Sequence, residues 1–365
     1  MNPQLLYTWL AEIQRQLPLL GKWQALGLAM LSIGVIQARH SSLSRIAEEL
    51  AGWAAIDSLN KRFKRWIANQ SIDVLLGCEA WVGWVWRQCD LPQPLLLVDE
   101  TKLGNRIGVL MVSLAFQQRA IPLLWRCYRA NSAQDYPQQG QVLLVWQLLA
   151  RVQSALPVDC RPLVQMDRGM AQSGAMLRAL DNLGMRYLVR LKGYTRFTSR
   201  CGHTQLLRDL LKPGESLKAR GWIFKREKWV KVWIYAVWEV GQVEAWYLAS
   251  NDATLTSALY ARRMWQEESF RDLKSGGWQW ESSHIRCPQR MERFIFVLAL
   301  AYAWMLTLGT MVLHEALPAP GISKDVKQRY SSFRLGLRYF KQQVTHAPQH
   351  LWVGLFFVPP PQLVT

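Results

Sequence analysis

The chain has 365 residues, half of them hydrophobic, which is enough for two or three domains with a sizeable core. Lys and Arg outnumber Asp and Glu by 44 to 26. Because this excess is spread along the chain, it favours DNA or RNA as the partner, with an anionic membrane surface as the alternative. The six cysteines show neither CxxC nor zinc-finger spacing, which argues against such sites and predicts reduced thiols in a cytoplasmic protein.

The first 90 residues are predicted to be helical. Their start carries acidic residues and no small-residue cleavage site, so no signal peptide is expected. Residues 41–69 are predicted to form two short helices around a turn at Gly52, a helix-turn-helix-like shape with a basic second helix. This pattern indicates DNA contact, and the alternative is a merely solvated face. The basic residues are Lys61, Arg62, Lys64 and Arg65.

The hydrophobic periodicity changes after residue 94, and seven elements follow. They are three strands, a helix, a strand, a helix and a strand, at 95–100, 106–116, 120–128, 138–155, 161–167, 171–183 and 186–192. Short turns join the first three strands into an antiparallel meander. This order predicts an α/β, RNase H-like mixed sheet with flanking helices.

Two of these strands end in an acidic residue. Asp99 lies on the first strand and Asp167 ends the fourth, and in the predicted fold these strands are neighbours. Glu100 points to the opposite face because side chains alternate along a strand. A single aspartate at a strand end is more often a turn or helix cap, but two on neighbouring strands favour a shared metal site.

Residues 193–249 are predicted to be a basic, aromatic, β-rich insertion. Alternation over much of this segment suits strands, and its tryptophans are interleaved with Lys and Arg. Such a surface could bind DNA by stacking and charge, or it could be a sheet with one aromatic core face. The tryptophans considered for DNA contact are Trp222, Trp229 and Trp233.

Residues 260–274 contain neither Gly nor Pro and are predicted to be helical. At about 100° per residue, Tyr260, Arg263, Glu267 and Lys274 share one stripe of the helix. A surface ion pair explains Arg263 and Glu267, four residues apart, but it does not explain the other two. Together Asp99, Asp167 and Glu267 would form a triad of hard carboxylates, which suits two Mg²⁺ or Mn²⁺ ions in phosphoryl transfer.

Residues 294–313 carry no charge and are long enough to span a bilayer. A helix packed on all sides within a large α/β core has the same composition, and this interpretation is preferred. No membrane partner is therefore expected.

The spacing Tyr260-x2-Arg263-x3-Glu267-x6-Lys274 resembles the signature of the DDE transposases of bacterial insertion sequences, and more narrowly of the insertion-sequence-four family. VDET around Asp99 and MDRG around Asp167 are similar to that family's regions for the first and second aspartates. The resemblance covers roughly residues 41–310.

The resemblance implies a reaction and roles for these residues. Asp99, Asp167 and Glu267 would bind two divalent ions, Mg²⁺ with Mn²⁺ as a substitute, while the other three signature residues hold the phosphate at the transposon end. The reaction would be cut-and-paste transposition through a hairpin intermediate, with a tryptophan of the insertion supporting a flipped base. The partners would be double-stranded DNA, at inverted repeats and target, and a second copy of the chain in a bacterial cytoplasm.

The expected organisation has four parts. Residues 1–90 form a helical DNA-binding region, 91–192 with 250–313 the catalytic domain, 193–249 the insertion, and 314–365 a C-terminal region for dimerisation. Two alternatives stay open: an inactive or domesticated descendant, and a regulator that binds DNA without chemistry.

Overall fold

The computed structural model describes residues 3–89, 91, 93–130 and 140–358. Its N-terminal part is helical, as expected. The fourth helix buries Leu59, Phe63, Trp66 and Ile67 against the other helices, so that its basic residues face outward. The helices are α1 (Pro3–Gln16), α2 (Lys22–Ala38), α3 (Leu43–Glu49), α4 (Ile56–Ala68) and α5 (Val74–Gln88).

The seven elements expected after residue 94 are present in the predicted order, although residues 138–139 of the expected helix lie outside the described part. Their apolar stretches form the centre of the sheet and the helices that cover it. They are β1 (Leu95–Leu103), β2 (Ile107–Phe116), β3 (Arg119–Arg129), α6 (Gly140–Ser154), β4 (Leu163–Met166), α7 (Gly174–Asn182) and β5 (Arg186–Arg190).

The strands of the predicted insertion continue this sheet. They are β6 (Arg196–Ser199), β7 (Thr204–Leu206), β8 (Ser216–Ile223), β9 (Val230–Val237) and β10 (Trp246–Ser250). Within the described residues, ten strands form one mixed sheet in the order β3-β2-β1-β4-β5-β10-β9-β8-β6-β7. The segment is therefore β-rich, and β10 joins it to the central strands by antiparallel pairing with β5.

Both faces of the central strands are buried. Along β1, Leu96 and Val98 join the large core shared with the helices, whereas Leu95 and Leu97 join a smaller cluster on the other face. This smaller cluster includes Tyr260, and because side chains alternate, its face is the one that carries Asp99.

The segment expected to be one helix over residues 260–274 differs from that expectation. Residues Ser257–Arg263 form a 3-10 helix, and the α-helix α8 covers only Met264–Leu273. Tyr260 and Arg263 therefore do not lie on an ideal α-helical stripe with Glu267. The tighter turn is held by a tertiary contact, because the Tyr260 hydroxyl bonds to the main chain of β4.

Helix α9 (Pro288–Leu313) passes through the core. Among the described residues, it is the one helix long and apolar enough to cross a membrane, and its most apolar window is wholly buried within the protein. This burial agrees with the preferred interpretation as a core helix. Beyond it lie α10 (Lys324–Arg329) and α11 (Ser332–His346).

Two glycines let α9 and α11 approach closely. A Cβ atom at Gly309 would lie 1.7 Å from the carbonyl oxygen of Ser332, and one at Gly336 would lie 1.9 Å from that of Met305. Neither backbone can move aside without separating the helices. The close packing of α9 therefore requires glycine at both positions.

We expect Gly309→Ala and Gly336→Ala each to lower the free energy of unfolding by about 3 kcal/mol, because a methyl group must overlap a carbonyl oxygen. Denaturant titration measures the change. Gly77→Ala in α5 is the matched control, since its Cβ would lie 3.9 Å from its nearest neighbour and helix propensity alone should add up to about 1 kcal/mol of stability. Equal effects at all three sites would contradict the packing interpretation.

Candidate active site

Parallel pairing of β1 with β4 brings two aspartates side by side. Val98 lies opposite Met166, so the next residues, Asp99 and Asp167, occupy equivalent positions on neighbouring strands. The N–H of Glu100 donates to Asp99 Oδ1 at 2.8 Å. Adjacent parallel strands lie about 4.8 Å apart, so the carboxylates can share one partner.

Asp167 is held by the turn that follows β4. Its Oδ1 accepts hydrogen bonds from the N–H groups of Gly169, at 2.9 Å, and Met170, at 3.0 Å. Asp167 therefore caps a turn, which was the alternative interpretation of an aspartate at a strand end. The same hydrogen bonds fix its carboxylate beside Asp99.

Tyr260 is buried behind the second aspartate. Its hydroxyl donates to the carbonyl oxygen of Met166 at 3.0 Å, and its ring packs edge-on against Trp246. Burial raises the pKa of the Tyr260 hydroxyl. In this arrangement the phenol supports the main chain immediately before Asp167.

Arg263 joins the strand site to the helix that carries Glu267. Its Nη1 donates to Asp99 Oδ2 and its Nη2 to Glu267 Oε1, each at 3.0 Å. The Arg263 side chain is only 15% exposed, so water screens these charges less than on the open surface. Asp99, Arg263 and Glu267 thus form one connected group.

A buried polar network holds α8 over the sheet. Arg119 Nε donates to Asp272 Oδ2 at 2.6 Å, and the hydroxyl of Tyr302 in α9 donates to the same oxygen at 3.2 Å. Ser269 accepts the N–H of Ala120 at 2.6 Å. These contacts tie one side of α8 to β3 and α9, which directs Glu267 towards Asp99.

Lys274 lies beyond the end of α8, at the far end of β1. Its Nζ donates to the carbonyl oxygen of Lys102 at 2.9 Å. All four signature side chains therefore contact the strands or one another at one end of the sheet. Lys274 contacts Lys102, which follows Asp99 by three residues near the end of β1. Tyr260 contacts Met166, the last residue of β4.

Burial is the largest influence on the charge of Asp99. Together with the weaker effect of the negative charges of Glu267 and Asp167, it raises the pKa of this carboxyl to about 6. Arg263 and the N–H of Glu100 oppose the rise. The cation that opposes the rise is therefore the guanidinium of Arg263.

The donor chemistry fits a divalent ion. Carboxylate oxygens of Asp99, Asp167 and Glu267 are the hard ligands that Mg²⁺ and Mn²⁺ prefer. Among the described residues, however, no three His, Cys, Asp or Glu side chains lie close enough together to hold a metal. The guanidinium of Arg263 lies between Asp99 and Glu267, so a fit requires that group to leave.

The predicted tryptophans occupy different places. Trp233 packs on the smaller apolar cluster, the face that carries Asp99, and the cationic groups of Lys218 and Arg220 lie over its ring at 5.4 and 5.5 Å. Trp222 lies on the same face, because it follows Arg220 by two residues in β8. Trp229 lies outside the strands, 42% exposed beneath Lys225.

The basic residues of α4 form a separate surface. Lys61, Arg62 and Arg65 line a groove of about 1020 Å³ with Trp23 of α2, and Lys64 is exposed beside them. No hydrogen bond or ion pair joins these basic side chains to the carboxylates in the described residues. They form a second positive surface, on the N-terminal helices.

Other charged residues near Asp167 were not expected from the sequence. Arg168 and Arg190 each donate to Glu244 at 2.7 Å, and they line a cleft of about 700 Å³ with Tyr194. The network around Arg119 and Asp272 was missed as well. These partners are far apart in the chain, so no local spacing could have indicated them.

One protein family matches the part of the chain that carries most of this site. A family model described as the transposase DDE domain matches residues 112–304, more than half of the chain. The match includes Asp167 and Glu267 and begins after Asp99, so Asp99 is assigned to the site by strand pairing. No curated protein sequence matches the chain.

We expect the pH dependence of stability to identify Asp99. A carboxyl whose pKa is raised from 3.8 to about 6 binds its proton more tightly in the folded chain. The stability it contributes is therefore present at low pH and lost as the pH rises through 6. Without divalent ions, the wild type should lose about 2 kcal/mol relative to Asp99→Asn between pH 4 and 7. A constant difference between the two unfolding free energies would contradict the assignment.

Proposed function

The chain belongs to the transposase DDE domain family, and from this we propose that it is an insertion-sequence-four transposase that cuts and rejoins DNA at transposon ends. The observation that carries the proposal is the parallel register that sets Asp99 beside Asp167, with Arg263 joining Asp99 to Glu267 of α8. The net charge of +18 suits a long DNA footprint.

The three carboxylates are proposed to hold divalent ions, with Mg²⁺ as the physiological ion and Mn²⁺ as a substitute. Domains of this family generally depend on divalent metal. When bound, two such ions would activate the attacking oxygen and stabilise the leaving oxygen at phosphorus. The protein's own part is to hold Asp99 and Asp167 side by side and to present Glu267 from α8.

The remaining signature residues are proposed to position the DNA end. Lys274 lies at the rim of the site and is partly exposed, so its ammonium can turn from the Lys102 carbonyl to a phosphate. Arg263 has the planar donor fork that suits phosphate oxygens. Tyr260 is buried, which supports a role in holding the chain before Asp167 and leaves direct phosphate contact to a rearranged state.

Two surfaces are proposed to bind the DNA that flanks the cut. Trp222 and Trp233 lie with Lys218 and Arg220 on the catalytic face of the extended sheet, where a flipped base could stack. Trp229 is the exposed alternative. The basic groove beside α4 is suited to the duplex further from the cut, since Lys61, Arg62, Lys64 and Arg65 all face solvent.

The proposed reaction is cut-and-paste transposition through a DNA hairpin, carried out by a homodimer that pairs the two ends. Residues 332–346 pack on α9, so a dimer contact would use outer surfaces of the C-terminal region. A bacterial cytoplasm, with the protein associated with the nucleoid, is the compartment in which such a substrate is found.

We expect Glu267→Gln to abolish Mg²⁺-dependent cleavage of end DNA while leaving binding within about twofold, because the amide keeps the shape of the side chain and removes its charge. Cleavage and mobility-shift assays on the terminal repeats measure the two effects. Glu268→Gln is the matched control, since Glu268 bonds to Arg271 at 2.8 Å and lies 4.0 Å from Arg119, not beside Arg263, and it should retain cleavage.

Survival of cleavage in Glu267→Gln would remove Glu267 from the active site. Binding of end DNA without any cleavage by the wild-type chain, with either ion, would instead favour the inactive descendant or the regulator.

We expect each of Lys61→Ala, Arg62→Ala, Lys64→Ala and Arg65→Ala to weaken DNA binding and to reduce the slope of log K against log salt by about 1. Each change removes one phosphate contact and the release of its counterion. Titration of binding between low and moderate salt measures the slope. Arg338→Ala, exposed on α11, is the control, and an equal loss of slope there would mean that the charge acts without a defined surface.

A further inference from the structure

Arg263 lies between two carboxylates of the candidate site and bonds to both. Its two guanidinium nitrogens bond separately to Asp99 and Glu267, one from the sheet and one from the helix, each at 3.0 Å. Among the described residues, neither Asp99 nor Glu267 makes any other ion pair. A single side chain thus balances two negative charges of the site.

The oxygens that accept from Arg263 are also the ones through which an ion could bridge Asp99 and Glu267. Asp99 Oδ2 and Glu267 Oε1 face the guanidinium, and a cation bridging these two side chains requires the same space. Two cations on one pair of carboxylate oxygens would repel each other. The guanidinium and a metal ion therefore compete for this pair of carboxylates.

The backbone around Arg263 is held, so exchange must occur by side-chain rotation. On one side, Tyr260 is anchored to Met166 in β4. On the other, Asp272 anchors α8 to Arg119 in β3. The Arg263 side chain itself has four rotatable bonds. Once released, its guanidinium would lie beside the site, where it could bind a phosphate of the DNA end.

We propose that Arg263 is an internal counter-ion that is exchanged for the divalent ion. It is a positioning residue that holds Asp99 and Glu267 together in the metal-free chain. Its guanidinium becomes available to the DNA phosphate only when the ion has taken its place. This inference rests on the proposed function, because it needs Asp99 and Glu267 to be metal ligands.

The test measures binding of Mn²⁺ to the full-length chain without DNA, by paramagnetic resonance of the free ion. Arg263→Gln should bind Mn²⁺ at least about tenfold more tightly than the wild type, because the competing cation is gone. Arg263→Lys should give an intermediate affinity. Arg262→Gln is the matched control, since Arg262 is exposed and lies over the Trp265 ring, and it should change the affinity by less than about twofold.

Thermal unfolding gives a second readout. Metal-free Arg263→Gln should melt below the wild type, since its carboxylates are left unbalanced, and saturating Mn²⁺ should close that gap. A gap that persists with the metal bound would mean that Arg263 has a purely structural role. Unchanged or weaker Mn²⁺ binding by Arg263→Gln would overturn the exchange.

Asp99→Asn and Glu267→Gln separate the two possible failures. If both abolish Mn²⁺ binding while Arg263→Gln leaves it unchanged, the metal site stands and the exchange is wrong. If neither affects Mn²⁺ binding, the proposed metal site itself is wrong, and with it the premise of the exchange.

Discussion

The parallel pairing of β1 with β4 is the constraint on which the site depends. It sets Val98 opposite Met166 and therefore Asp99 beside Asp167, although 67 residues separate them in the chain. A slip of one residue would turn one aspartate to the opposite face of the sheet. Such a slip would also exchange side chains between two differently shaped clusters, since Leu96 and Val98 pack in the large core and Leu95 and Leu97 in the smaller cluster.

Helix α8 completes the site only because its other side is held in the core. Arg119, Asp272 and Tyr302 connect it to β3 and α9, and α9 is in turn fixed by the glycine contact with α11. A charged network in this position is costly to bury unless every member has a partner. Here the buried network fixes the rotation of α8 about its axis, and this rotation positions Glu267.

The extension of the sheet continues the face that bears Asp99 well beyond the candidate site. Strands β8 and β9 carry Lys218, Arg220 and Trp233 on the face that bears Asp99. They belong to the same continuous sheet as the central strands. A substrate with a long negatively charged backbone can contact such a face over several strands. The groove lined by Lys61, Arg62 and Arg65 is a second positively charged surface, on the N-terminal helices.

The sequence by itself determined the order of the central strands and helices, the core helix α9, and the acids and cations to consider. Hydrophobic periodicity and residue spacing are local properties, and they sufficed for these. It failed at residues 260–263, where α-helix was predicted and a 3-10 helix formed, because the bond from Tyr260 to Met166 overrides local preference. Only the tertiary structure decided that Arg263 joins Asp99 to Glu267 and that Asp272 anchors α8, because these contacts span more than 150 residues and depend on strand pairing.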